Sequence, residues 1–385
     1  MSLTKIVNRT IKSLRKAVCL GIVGAAFLTG NVRAEPEYEI TRLSISEPNV
    51  NIDYSYPHSI NNNGDVIVEY GYFGTGCNAY PHPLGIFLYN SEKEVIRKLN
   101  LPADVFTNPA VNDFGNILAE SKNTYFSAIY KIDGIIELNF YGRTMNNKEE
   151  VIGQYIYNYL YQDGHKIISN MSCIWGINDN TEIVGEKTDK TYAWFPAVWK
   201  DGEATILKTP GKAWGRALDI NNNSEIVGQI IERTPYAVDS SACMWDKERK
   251  FIRLGNKDDT SAYSINDSGQ IVGIGREGGY LNRWIAVSWK NRVRINLNDY
   301  LSEDSEWERL TEALDINNKG QIIGVGEVKG MANEYAFLMT PIPLEGDLNN
   351  DDKVDFKDLA IMANNWLENN TFPSSPRGIG KGLSK

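Results

Sequence analysis

Short runs of apolar and β-branched residues alternate with polar clusters along most of the chain, and one polar cluster keeps returning. Ile220-Asn221-Asn222-Asn223-Ser224-Glu225-Ile226-Val227-Gly228 recurs at Ile265–Gly273, Ile316–Gly324 and Ile177–Gly185. Looser copies start at Ile60-Asn61, Val111-Asn112 and Met145-Asn146. Asn, Asp and Gly accept positive φ and satisfy local backbone groups, so each Asn-Asn/Asp-x-Gly segment predicts a tight hairpin turn. The β-branched residues on either side are its two strands. Downstream a third apolar run ends in a large side chain: Tyr89, Tyr130, Tyr161, Trp199, Trp245, Trp289 and Met339. These read as packing between neighbouring sheets. Asp133-Gly134, Asp163-Gly164 and Asp201-Gly202 turn the chain again into a fourth run, such as Ala204-Thr205-Ile206-Leu207.

Four antiparallel strands in roughly 43 residues match the blade of a β-propeller. A solenoid repeat usually holds fewer strands and needs caps. The seventh unit has three strands, Ala313–Ile316, Gln321–Gly326 and Tyr335–Thr340, and then runs into Pro341. Its missing fourth strand has a counterpart at the N-terminus, Tyr38-Glu39-Ile40-Thr41-Arg42-Leu43. Pairing the two would close the ring and remove an exposed sheet edge. The reading is therefore an all-β, seven-bladed β-propeller over residues 37–342, closed by an N-terminal strand. The motif Ile-Asn-x-x-Gly-x-Ile-Val-Gly, followed by Ala336-Phe337-Leu338, resembles the HAF-type extracellular repeat of secreted bacterial proteins. The resemblance spans residues 38–342, with Tyr335 where the family has its name-giving His, and it implies architecture and export rather than an activity.

Beyond the repeats, residues 347–358 place oxygen side chains at loop positions 1, 3, 5, 9 and 12: Asp347, Asn349, Asp351, Asp355 and Asp358. Lys353, at position 7, offers its backbone carbonyl. That spacing lets one short loop wrap Ca2+, a hard cation that takes six to eight oxygens. Asp352 stands where Gly is usual, and Asp358 where an EF-hand has Glu. Leu359, Met362, Ala363 and Trp366 then fall on one face of a following helix. A small EF-hand-like loop-helix is expected here. Asp at position 12, then Leu and an apolar helix, resembles one calcium-binding half of a type I dockerin, which implies docking of residues 345–370 onto a cohesin-like scaffold protein. Residues 371–385, rich in Ser, Pro, Gly and Lys, read as a disordered tail.

Charge and export complete the picture. The 385 residues carry a formal charge of −9. Lys5, Arg9, Lys12, Arg15 and Lys16 precede an apolar run from Ala17 to Leu28 and then Val32-Arg33-Ala34. This is the pattern of a secretory signal peptide cleaved after Ala34. The run is too short to cross a bilayer, which takes about 20 residues, so no transmembrane anchor is expected. Residues 1–34 hold six basic and no acidic side chains, so the secreted chain would carry −15. That acidity argues against nucleic acid as a partner. Cys77, Cys173 and Cys243 remain after cleavage, too few for a disulfide scaffold.

Catalytic signatures are absent. His58, His82 and His165 are scattered, and no Gly-x-Ser-x-Gly elbow or phosphate-cradling loop occurs. His82, between two prolines, reads as a loop residue. The longest inserts fall on the propeller face opposite the Asn turns, where Tyr72, Phe73, Tyr80, Trp214 and Trp307 are candidates to stack on sugars or grip a protein. The leading reading is a secreted, non-catalytic recognition or display protein, tethered by the calcium module in polysaccharide-related or cell-surface assemblies. The rivals are a polysaccharide-degrading enzyme, hydrolase or lyase, with its site on that loop-rich face, and a structural envelope protein.

Overall fold

The computed structural model describes residues 37–342 except 46–51, 74–80, 94, 100–108, 121–125, 155–156, 163–164, 168–170, 191–192, 234–237, 256–259 and 278–282, together with Lys357 and Ile361. Ile40–Thr340 form one compact unit, and Met1–Glu39 with Pro341–Lys385 form a second. The expected signal peptide over 1–34, the candidate calcium ligands Asp347, Asn349, Asp351, Lys353, Asp355 and Asp358, and the expected tail over 371–385 lie outside the described residues, as do Tyr80 and Cys77.

Strand β1 is Glu37–Leu43. Blade 1 follows as β2 (Tyr54–Ile60), β3 (Asp65–Phe73), β4 (Pro81–Asn90) and β5 (Val95–Leu99). Blade 2 is β6 (Ala110–Val111), β7 (Ile117–Glu120), β8 (Ser127–Tyr130) and β9 (Ile135–Glu137), and blade 3 is β10 (Tyr141–Met145), β11 (Val151–Gln154), β12 (Asn158–Tyr161) and β13 (His165–Ile167). Blade 4 is β14 (Cys173–Ile177), β15 (Ile183–Thr188), β16 (Trp194–Lys200) and β17 (Glu203–Ile206). Blade 5 is β18 (Trp214–Ile220), β19 (Ile226–Arg233), β20 (Val238–Trp245) and β21 (Phe251–Arg253). Blade 6 is β22 (Ser261–Ile265), β23 (Ile271–Arg276), β24 (Trp284–Lys290) and β25 (Val293–Asn296). Blade 7 contributes β26 (Trp307–Ile316), β27 (Ile322–Val328) and β28 (Glu334–Ile342).

Six sheets run in plain chain order, and the seventh has the order β1-β28-β27-β26. The chain is thus a seven-bladed β-propeller whose N-terminal strand supplies the missing edge of blade 7. Buried Ser55 of blade 1 ties both ends of the chain together: its hydroxyl donates to the Leu43 carbonyl (2.7 Å) and accepts from the Ala336 N–H (2.9 Å). Leu43, Val66, Phe87, Ile323 and Leu338 form the core between these two blades. Trp199, Trp245, Trp289 and Met339 are buried between sheets as expected, while Tyr89, Tyr130 and Tyr161 are half-buried. Cys173 and Cys243 are free thiols, and burial pushes both upward in pKa.

The recurring Asn does more than shape a turn. In all seven blades its Oδ1 accepts two backbone N–H groups of its own hairpin, as Asn178 does from Asn180 and Glu182. Its Nδ2 donates to the backbone carbonyl of the equivalent Asn in the next blade. The bonds run from Asn61 to Asn112, Asn146, Asn178, Asn221, Asn266 and Asn317, and Asn317 donates back to Asn61 (2.9 Å). A second ring is made by the following residue. Asn62, Asp113, Asn147, Asp179, Asn222, Asp267 and Asn318 each donate a backbone N–H to the next side chain, and Asn318 closes on Asn62. Carboxylates alternate with amides, so every Asp has amide donors beside it and no two like charges touch. With seven members the alternation must break once, and it breaks as two neutral amides, Asn318 beside Asn62. These rings lock one end of the central channel to a space of about 180 Å³.

The Gly that ends each Ile-Val-Gly run has a separate cause. An alanine Cβ at Gly273 would lie 2.0 Å from the Ser261 carbonyl oxygen, and at Gly185 and Gly228 the corresponding carbonyls of Cys173 and Arg216 are as close. The inner strand shifts register there, which drives its backbone onto the second strand. Gly273→Ala is expected to lower stability by about 3 kcal/mol, read as a lower urea midpoint. Gly134→Ala, with nothing within 4 Å, should leave the midpoint unchanged. Equal midpoints for the two variants would refute the close-approach argument.

Candidate functional site

The opposite end of the channel opens into a cavity of about 640 Å³ lined by the inner strands. The register shifts decide which side chains reach it. In blade 1 the shift lies between Pro57 and Ser59, in blade 3 between Gly142 and Thr144, in blade 4 between Ile174 and Gly176, and in blade 6 between Ala262 and Ser264. The extra residues are His58, Arg143, Trp175 and Tyr263, and all four line the cavity. A bulge re-aims the side chain of the residue it inserts. Blades 5 and 7 do the same with Leu218 and Leu314. Each of these residues stands three positions before its motif Asn. That fixed offset is the signal in the sequence that would have found them.

One side of the mouth is a ladder of cations and aromatic faces. The Arg143 guanidinium carbon lies 3.7 Å from the centroid of the Trp175 ring. Arg216 is 5.9 Å from Trp175 on one hand and 5.3 Å from Trp194 on the other. Trp194 then meets Trp214 at 5.9 Å. Such contacts gain from the ring quadrupole, more so when water is excluded. Glu186 anchors the ladder from beneath: the Trp175 indole N–H donates to its Oε1 (3.0 Å), and Arg216 Nε forms an ion pair with the same oxygen (2.9 Å) without the alignment of a hydrogen bond. Burial pushes the Glu186 carboxyl up in pKa, while Arg216, Trp175 and Arg143 pull it back. Burial also brings the Arg143 guanidinium down to about 10. It stays a cation at neutral pH.

The other side is built from blades 1, 6 and 7. Tyr56 stands edge-on to His58 at 5.3 Å, and His58 Nε2 lies 3.5 Å from the Glu69 carboxylate. Tyr263 bonds to Glu312. Burial, with Glu312 next in weight, raises the pKa of both Tyr56 and Tyr263, so their hydroxyls are neutral donors at physiological pH. Burial likewise raises Glu312. In the channel floor beneath, half-buried Asp219 and Asp315 place their carboxyls on either side of Ser264, whose hydroxyl donates to Asp315 (2.7 Å).

The aromatic residues singled out in the sequence are dispersed. Trp214 joins the ladder through Trp194. Tyr72 stacks on His82 at 5.1 Å, and Phe73 packs on Tyr54 at 5.2 Å. Trp307 is 2% exposed and packs on Phe337 in the core of blade 7, which leaves no face for a ligand. His82 belongs to β4 rather than to a loop, because β3 and β4 continue their pairing as far as Phe73 and Pro81.

No family model matches the chain and no curated protein matches it in sequence, so the HAF-type and dockerin resemblances rest on the motifs alone. Among solved structures, the β-propeller domain of the Trilobed protease from Pyrococcus furiosus is similar at 11% identity and TM-score 0.48, covering 75% of this chain and 97% of that one. The α-L-arabinofuranosidase from Podospora anserina gives 9% identity and TM-score 0.31, over 80% and 97% of the two chains. A polysaccharide lyase acting on ulvan gives 11% and 0.30, over 80% and 84%.

Proposed function

We propose that this propeller recognises a polysaccharide at its wide channel mouth and serves as a display or capture module. The observation that carries the reading is the ladder Arg143–Trp175–Arg216, which lines a cavity large enough for a sugar chain with aromatic faces and polar donors side by side, and which Trp194 and Trp214 continue outside the cavity. Neutral Tyr56 and Tyr263 hydroxyls add donors from the opposite wall. Export and tethering belong to the same proposal and are supported by sequence: a signal peptide over 1–34, and a dockerin-like loop with Asp347, Asn349, Asp351, Lys353, Asp355 and Asp358 around Ca2+, able to engage a cohesin-like scaffold.

A glycan array run with intact protein and with Trp175→Ala, each with and without calcium, tests this. Binding is expected to fall about tenfold or more in the variant and to survive chelation, because the ladder lies within Ile40–Thr340. Silence on every glycan would remove the reading. A lyase is the second reading. What favours it is the set Tyr56, His58 and Tyr263 at the same mouth as two guanidiniums. Chain cleavage with unsaturated product ends would decide for it.

A further inference from the structure

Arg143 differs from three other half-buried arginines of the propeller, each held by a glutamate. Arg249 holds Glu182 at 2.8 Å, Arg253 holds Glu232 at 2.9 Å and Arg309 holds Glu327 at 2.5 Å. The Arg143 guanidinium is covered on one face by Trp175, yet no acceptor among the described residues takes a hydrogen bond from it. A guanidinium carries five N–H donors in a planar fork, and those of Arg143 open onto the cavity rather than being sealed in the core. It is aimed at the cavity by the bulge that the inner strand of blade 3 shares with five other blades. Its neighbour Arg216 also spends only Nε on Glu186.

Resting on the recognition reading above, we propose that the polysaccharide is acidic and that Arg143, with Arg216 beside it, receives a uronate carboxylate in the cavity. With one guanidinium face stacked on the indole, the edge and its paired N–H groups are left for the ligand. A planar carboxylate matches such an edge with two parallel bonds. The cation thereby gains the acceptor it lacks, while Trp175 covers the adjoining sugar face.

Calorimetric titration of the full-length protein with a galacturonate oligosaccharide, a neutral cello-oligosaccharide and a sulfated galactan oligosaccharide tests this. The galacturonate is expected to bind at least about tenfold tighter than the neutral ligand, and added salt should weaken only the former. Arg143→Gln should abolish that preference, bringing the galacturonate down to no more than the neutral ligand's affinity. Arg143→Lys, which keeps the charge without the fork, should restore part of it. Thermal melting establishes that each variant is folded; should Arg143→Gln not fold, Arg143→Lys and the salt response of the intact protein carry the test. Equal affinity for neutral and carboxylated ligands overturns the inference but leaves recognition standing. So does a folded Arg143→Gln that keeps the preference, or tighter binding of the sulfated ligand. Binding of none of the three sinks the recognition reading itself, and this inference with it.

Discussion

Asn178→Ala is expected to lower the stability of the propeller by about 3–5 kcal/mol. The side chain is 3% exposed and every polar atom of it is in use. Oδ1 accepts from the Asn180 and Glu182 N–H groups at 3.0 and 2.9 Å. Nδ2 donates to Glu182 Oε2 at 2.9 Å and to the Asn221 carbonyl of the next blade at 3.0 Å. Truncation leaves two buried donors, a carbonyl and a buried carboxylate short of partners, and each such orphan costs more than a hydrogen bond contributes. It also opens the ring that joins blade 4 to blade 5. Asn180→Ala is the matching control, since its side chain makes one exposed bond to the Asn222 carbonyl. It should cost less than about 1 kcal/mol. Urea unfolding of the two variants gives the comparison, and similar midpoints would show that the ring is not a principal source of cohesion.

Asp219→Asn should act in the opposite direction, and only above acidic pH. Asp219 is half-buried in the channel floor, where its carboxyl's loss of water lifts its pKa to about 7, with Asp315 adding to the shift and the Ile265 N–H (2.9 Å), Ile220 and Ser264 opposing it. An unfolded Asp titrates near 3.9. Between these values the folded chain keeps a proton that the unfolded chain has released, so stability falls as pH rises from about 4 to about 7. Above the folded pKa the cost is fully present, on the order of 4 kcal/mol. Asp315 is raised in the same sense by burial and adds to the slope. An amide at 219 keeps an acceptor for the Ile265 N–H and carries no charge to desolvate. The oxygen of Ser264 can take one of its added donors. Wild type and variant should therefore unfold alike near pH 4 and diverge by pH 8, with the variant more stable. A variant equally stable or less stable than wild type at pH 8 would show that Asp219 is not the group that titrates.

Much of the fold was legible because a propeller repeats its local chemistry. Each turn needs residues that tolerate positive φ, and Gly64, Gly115, Gly269 and Gly320 provide them, with Glu149, Thr181 and Ser224 in the other three blades. The last three carry side chains that reach the preceding blade: the Thr181 hydroxyl donates to Glu150, the Ser224 hydroxyl donates to Glu182, and Glu149 accepts from Asn116. The sequence shows a departure from Gly at these places but not the partner, which lies 31 to 42 residues away in the chain.

The candidate site was less legible. Trp175 and Arg143 belong to different blades, and neither sits in an unusual local pattern. Trp307 looked like a connection residue because the inner strand of blade 7 was expected to begin at Ala313. It begins at Trp307, and the longer strand carries the indole into the core.

By itself the sequence determined the number of units, the four strands in each, and the strand that closes the ring, since hydrophobic period and turn chemistry are local properties that survive in one dimension. Only the tertiary structure decided what the asparagines hold and what the channel mouth presents. Both depend on backbone carbonyls and bulges brought together from neighbouring blades, and a carbonyl has no letter in the sequence.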